Sequence, residues 1–226
     1  GQTEIINMLL ELYDLGRIKT KLVKNTAENE RGIDLHGSTP ANMLMFGTLS
    51  KLFDGAKTEE DFYSFLEIGY ARRCFFGLGK PEVYTSTVNP EDVYNGLVSR
   101  SRSQNLIKWK KIFQSFADPA HYGKKLTVAR EVGVKLVAYR LFCEGLANQM
   151  AEHEVVRKAE ISHRYFKALK LAGVYAFLDG SNNVTLDNLM QGIKVAEESG
   201  VSFQTLLKRE RNFVRLAKYI AASQGE

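Results

Sequence analysis

Apolar residues recur at helical spacing along most of this chain, and alternate with a period of two only in short stretches of its first third. Ile5, Ile6, Leu9, Leu10, Leu12 and Tyr13 make a stripe over residues 3–14, with Thr3 placed to cap that helix and Gly16 to end it. In RIKTKLV, Arg17, Lys19 and Lys21 alternate with Ile18, Thr20 and Leu22, which predicts a strand with one basic face. NTAENERG then reads as the tip of an extended hairpin, and residues 33–36 as its return. The continuous apolar run 43–46 predicts a strand covered on both faces, ending at Gly47-Thr48, where a turn can aim a hydroxyl at a ligand. TEED opens a helix carrying Phe62, Phe65, Leu66 and Ile68; Gly69 breaks it, and residues 72–78 read as another strand. Alternating helix and strand is the grammar of an α/β layer, here over residues 1–88.

From residue 89 the pattern is helical only. Leu106, Trp109, Ile112, Phe113 and Phe116 mark one face of a helix and Lys108, Lys110 and Lys111 the other, so the spacing assigns Trp109 to a core. A longer helix is predicted over 127–157, with Val128, Val132, Leu136, Tyr139, Cys143, Leu146 and Met150 on its apolar side. Ser162 is placed to cap a helix running to Leu178, Asp179-Gly-Ser-Asn-Asn to turn, and Thr185 to cap the next helix. Residues 203–223 read as a basic helix. Gly133, Gly145 and Gly173 fall inside helical patterns, where they permit close packing. Residues 89–226 are thus predicted to be an all-α bundle.

The chain has 226 residues, 44% of them apolar and 25% charged, ordinary for a globular protein with a sizeable core. Nothing in it reads as a membrane span or a signal peptide, and its two cysteines, Cys74 and Cys143, sit singly in apolar contexts as free thiols of a reducing cytoplasm do. The net charge of +5 is concentrated. Between residues 97 and 125 lie Arg100, Arg102, Lys108, Lys110, Lys111, Lys124 and Lys125, opposed only by Asp118; Arg17, Lys19, Lys21 and Lys24 make a second cluster. Both suit an anionic partner, nucleic acid or nucleotide phosphate. Glu152, His153, Glu154 and His163 lack metal-ligand spacing, so no metal site is predicted.

Arg72 and Arg73 stand directly before an apolar run, which leaves three readings: an ion pair with Glu59, Glu60 or Glu67, a nucleic-acid contact, or an arginine that completes a phosphate site. GLGKP at 77–81 lacks the spacing and the hydroxyl of a phosphate-binding loop, so ATP hydrolysis by this chain alone is not expected.

The order of helix, basic hairpin, STPANMLMFGT, short helix, EIGYARRCFF and a helical bundle containing HRYFKALKLAGVYAF resembles the distal part of the ATPase core of phage- and plasmid-type primase-helicases, P-loop motors of DNA replication akin to superfamily III and AAA+ ATPases. The resemblance implies an incomplete P-loop ATPase sheet over 1–88 followed by a helical lid or C-terminal bundle over 89–226. It implies a sensor at Thr48, an arginine finger at Arg72 or Arg73, and a DNA-gripping hairpin carrying Arg17, Lys19, Lys21, Lys24 and His36. Lys108, Lys110 and Lys111 would add an outer DNA-facing surface. ATP and Mg²⁺ are expected only in the full-length protein, as a homo-oligomeric ring on single-stranded DNA. The alternatives from the residues themselves are a non-enzymatic DNA-binding replication or regulatory module, and an oligomerisation domain.

Overall fold

In the computed structural model, which describes residues 2–17, 42–79, 89–98, 101–208 and 212–223, helix follows helix. The order is α1 (Gln2–Leu15), α2 (Leu49–Leu52), α3 (Lys57–Phe65) running into a π-helical turn (Leu66–Tyr70), α4 (Pro90–Val98), α5 (Ser101–Phe116) and a 3-10 turn (Pro119–His121). Then come β1 (Thr127–Val128), α6 (Arg130–Asn148), α7 (Val155–Ser162), α8 (Arg164–Leu178), β2 (Asn183–Val184), α9 (Leu186–Leu207) and α10 (Asn212–Ser223).

Small residues set the central packing. Ala168, Ala172 and Ala176 recur every four residues along α8 and are fully buried. Gly192 of α9 meets them, and a Cβ added there would lie 2.4 Å from the Ala168 carbonyl oxygen; Ala196, one turn on, is fully buried too. Backbone therefore touches backbone, a contact that ridges of larger side chains would prevent. The two helices form an antiparallel hairpin. Its turn is held by Thr185, whose hydroxyl accepts from the Asn188 amide at 3.2 Å while Asn188 Oδ1 accepts from the Thr185 amide at 3.0 Å, the reciprocal cap expected at that threonine. Asn188 Nδ2 also donates to Asp179 at 2.9 Å, tying the end of α8 to the start of α9.

Three apolar clusters surround this hairpin. Val132, Ala172, Ala176, Val184 and Leu189 form one, at the end where β1 pairs in parallel with β2. Cys143, Ala147 and Ile161 form another, where α7 folds back on α6. The third joins Leu66 and Ala71 to Phe203 and Leu206, so residues on both sides of the expected division at 88 share one core.

The helical bundle is as expected; several local expectations are not. Residues 43–46 form no strand: Met43, Leu44, Met45 and Phe46 are exposed, Phe46 at 90%, and no described segment offers a ladder to pair with them. Residues 72–78 are not a strand either. The Tyr70 carbonyl accepts from the amides of Arg73 and Cys74, which winds the chain into a turn. The Phe76 amide then donates to the Ser199 hydroxyl at 2.8 Å instead of to a neighbouring strand. Among the described residues the α/β layer is thus replaced by turns and helix, and the β structure is the β1–β2 pair. The residues expected to form the basic hairpin, from Ile18 to His36, lie outside the described residues.

The helix expected over 127–157 is two, broken at 149–154, because burying Cys143 and Ala147 against Ile161 requires the chain to reverse. Ser162 ends α7 instead of capping α8; its hydroxyl donates to the Ala159 carbonyl at 3.2 Å. The helix expected to open at TEED starts one residue earlier, at Lys57, and Glu59 accepts from the Gly55 amide at 2.8 Å. Gly133 and Gly145 face open space, whereas Gly192 and Gly200 make the close approaches.

Candidate phosphate-facing arginine site

The π-helical turn contains Gly69, at φ 128°, a left-handed conformation that glycine adopts freely. The missing side chain matters as much as the torsion. A Cβ there would lie 2.8 Å from Arg73 Nη1 and 3.0 Å from Arg72 Nη2, so both guanidinium groups fold back over this glycine and lie side by side.

Their partners differ. Arg73 Nε donates to both carboxylate oxygens of Asp14, at 2.9 and 3.1 Å, its Nη2 also donates to Asp14, and Nη1 donates to the Gly69 carbonyl at 3.1 Å. The Arg73 hydrogen bonds hold the Asp14 carboxyl below its ordinary range, and Asp14 in turn raises the Arg73 pKa. Arg72, half-buried beside it, has no hydrogen-bond or ion-pair partner among the described residues. One carboxylate thus faces two guanidinium groups, and the excess positive charge resides on Arg72.

The turn carrying these arginines is fixed from three sides. The Tyr70 hydroxyl donates to the Ile6 carbonyl at 2.8 Å, Lys167 Nζ donates to the Ala71 carbonyl at 3.1 Å, and Phe76 stacks on Phe203 with ring centroids 4.4 Å apart. Lys167 belongs to a buried network. It donates to Glu160 at 3.0 Å, and Arg164 forks onto the same carboxylate at 3.0 and 2.8 Å while reaching Glu197 at 2.9 Å. Tyr139 donates to the other Glu197 oxygen at 2.6 Å. Two acids meet two bases, so the network is electrically balanced, and satisfied charges of this kind can sit in a core. Burial lowers the Lys167 pKa against the pull of Glu160. His163, at the α7–α8 junction, is also lowered, first by burial and then by the nearby Arg72 and Arg73 charges.

Thr48 caps the backbone of α2, where its carbonyl accepts from Lys51 and Leu52 at 3.0 Å, but its side chain makes no capping bond and no contact joins it to Arg72 or Arg73. Arg17 is exposed just past the end of α1. Lys19, Lys21, Lys24 and His36 lie outside the described residues. The acids proposed as partners for the arginines, Glu59, Glu60 and Glu67, do not pair with them; Asp14, distant in sequence, does.

Lys108, Lys110 and Lys111 are exposed along α5, which contains no acidic residue. Trp109, assigned to a core by its spacing, is 56% exposed instead, with Phe113 at 63% and its ring centroid 6.0 Å away. Of the stripe only Ile112 and Phe116 are partly covered, and Phe116 packs on Phe177 with ring centroids 5.5 Å apart. Glu154 pairs with Arg157, and among the described residues no three His, Cys, Asp or Glu side chains gather as a metal would require. No described helix is long and apolar enough to cross a membrane.

Comparison with known proteins gives no matching family model, no matching curated protein and no matching solved structure.

Proposed function

We propose that this chain is part of a DNA replication motor of the primase-helicase type, in which Arg72 is presented to the triphosphate held by a neighbouring subunit. One observation carries this reading: of two adjacent arginines on an anchored turn, Arg73 is consumed by Asp14 and Arg72 is left without a counter-ion among the described residues. A finger arginine needs a rigid base, a free guanidinium and a positive local field, because it acts by forking onto phosphate oxygens as charge develops there. The Gly69 turn supports the first requirement, the absence of a described partner the second, and the second guanidinium, Arg73, beside it the third. In this reading the phosphate cradle and Mg²⁺ are supplied in trans, the assembly is a homo-oligomeric ring, and Thr48 and the residues of the basic hairpin keep the sensor and DNA roles that the resemblance implies.

The experiment is ATP turnover by the assembled, DNA-stimulated protein. Arg72→Ala is expected to lower kcat by about 10³-fold or more with nucleotide affinity little changed, and Arg72→Lys to restore little of it. An unchanged rate in Arg72→Ala sinks the assignment.

A second reading, a non-enzymatic DNA-binding module, is favoured by α5, where exposed Trp109 and Phe113 accompany Lys108, Lys110 and Lys111. Stacking surfaces beside cations are what single-stranded nucleic acid requires. That reading gives salt-sensitive DNA binding by this chain with no turnover at all.

A further inference from the structure

A cavity of about 320 Å³, broadly open to solvent, lies between α8 and the segment that links the 3-10 turn to β1. Its basic side chains come from both sides: His121 from the 3-10 turn, Lys124 from the linking segment and Lys170 from α8. Leu126, Val174 and Phe177 supply apolar wall, and among the described residues no carboxylate lines it. Both lysines are held by aromatic faces instead of by acids. Lys124 Nζ sits 5.5 Å from the Phe177 centroid, and Lys170 Nζ sits 3.8 Å from that of Tyr13 and 5.0 Å from that of Phe166. No hydrogen bond or salt bridge joins either ammonium to another described residue. Their charges are therefore positioned without being neutralised by a direct partner among the described residues, and Asp14, whose carboxyl feels the Lys170 charge, is already paired with Arg73.

We infer that this cavity is a binding site for a single nucleotide unit, its phosphate taken by Lys124, Lys170 and His121 and its base by the apolar wall of Leu126, Val174 and Phe177. The volume lies at the small end of ligand pockets, which run from roughly 300 to 1,000 Å³, so the ligand is a small one. The surroundings fit as well. Phe116, the last residue of the acid-free helix α5, packs against Phe177 in the cavity wall, so α5 ends beside the cavity. A free nucleotide and one residue of a single strand present the same phosphate and the same ring, and the two sources are separated by experiment. The site is distinct from Arg72 and owes nothing to the motor reading.

The test is titration of the 226-residue chain with a deoxynucleoside monophosphate, with a fluorescent fifteen-residue oligothymidylate at two salt concentrations, and with inorganic phosphate. Two variants accompany it: the double substitution Lys124→Ala with Lys170→Ala, which removes the charges, and Val174→Trp, which fills the cavity from a position already 49% exposed. Binding of the monophosphate identifies the free nucleotide as ligand, and binding of the oligonucleotide alone identifies the strand. In either case both variants are expected to weaken the interaction at least tenfold while the melting transition persists. The inference is overturned if neither probe binds, if both variants bind like the parent, or if inorganic phosphate competes as well as the monophosphate does. ATP turnover is not read, so loss of this site and loss of the Arg72 assignment are separate results.

Discussion

The guanidinium of Arg164 occupies the space that a side chain at Gly200 would fill: a Cβ there would lie 2.2 Å from Arg164 Cζ. Gly200→Ala therefore ejects Arg164 from the buried network and leaves Glu160 with Lys167 alone. Breaking a buried charge pair from one side costs about 3–5 kcal/mol. Urea denaturation is expected to show a loss of that order, and a loss below about 1 kcal/mol would mean that Arg164 finds another seat.

Gly69→Ala acts on the site itself. It combines a φ of 128° with a clash against both guanidinium groups, so it is expected to destabilise the protein and to release Arg73 from Asp14. Releasing Arg73 by Asp14→Asn alone is expected to cost only about 1 kcal/mol, because that pair is partly exposed. Comparing the two melting temperatures separates backbone strain from rupture of the ion pair.

The pair also sets an acid limit. Asp14 titrates below its ordinary 3.8 in the folded chain, so its contribution is present above that value and is lost as pH falls through the lower, folded one. Asp14→Asn should flatten the part of the stability curve below about pH 4.

His163 gives a second, higher window. Its folded pKa lies below 6.5, so the unfolded chain binds the proton more readily, and stability declines as pH falls from 6.5 toward the folded value. The groups that disfavour its charge are Arg72, Arg73 and Lys167. Melting temperatures between pH 7.5 and 5.5 should drop more steeply in the parent than in His163→Gln, and parallel curves would contradict this.

Trp109 is the single tryptophan of the chain and is exposed, which makes fluorescence a direct report on α5. Emission of the free protein should be red-shifted and readily quenched by iodide. Should α5 carry single-stranded DNA, emission shifts blue on binding. Replacing Lys108, Lys110 and Lys111 with alanine then lowers the slope of log affinity against log salt by about 0.7 for each phosphate that a lysine had neutralised.

The helical bundle was legible in the sequence because its signals are local: period, caps and turns. Thr185 with Asn188 is a cap that four consecutive residues specify. The expected strands at 43–46 and 72–78 failed because an apolar run states only that a segment can be buried, not what it pairs with. Residues 72–78 satisfy the same pattern by sending Phe76 into Phe203, a pairing across more than a hundred residues that no window of sequence contains. Trp109 failed for the reverse reason: helical spacing defines a stripe but not its cover. The partner of Arg73 was sought among acids close in sequence, and Asp14 was reached only by folding α1 against the turn. Gly192 and Gly200 do carry a readable signal, small residues four apart along α9, which mirrors Ala168, Ala172 and Ala176 on α8.

The core shared by Leu66, Ala71, Phe203 and Leu206 restricts how this polypeptide can be shortened. A cut between residues 88 and 89, where the sequence changes character, would hand each fragment half of a greasy joint. Leu66 and Phe203, now almost wholly hidden from water, would each forfeit about 1.5–3 kcal/mol, and the severed faces would seek each other or any other oily surface. Pieces made that way should clump when expressed apart and become tractable only when produced together.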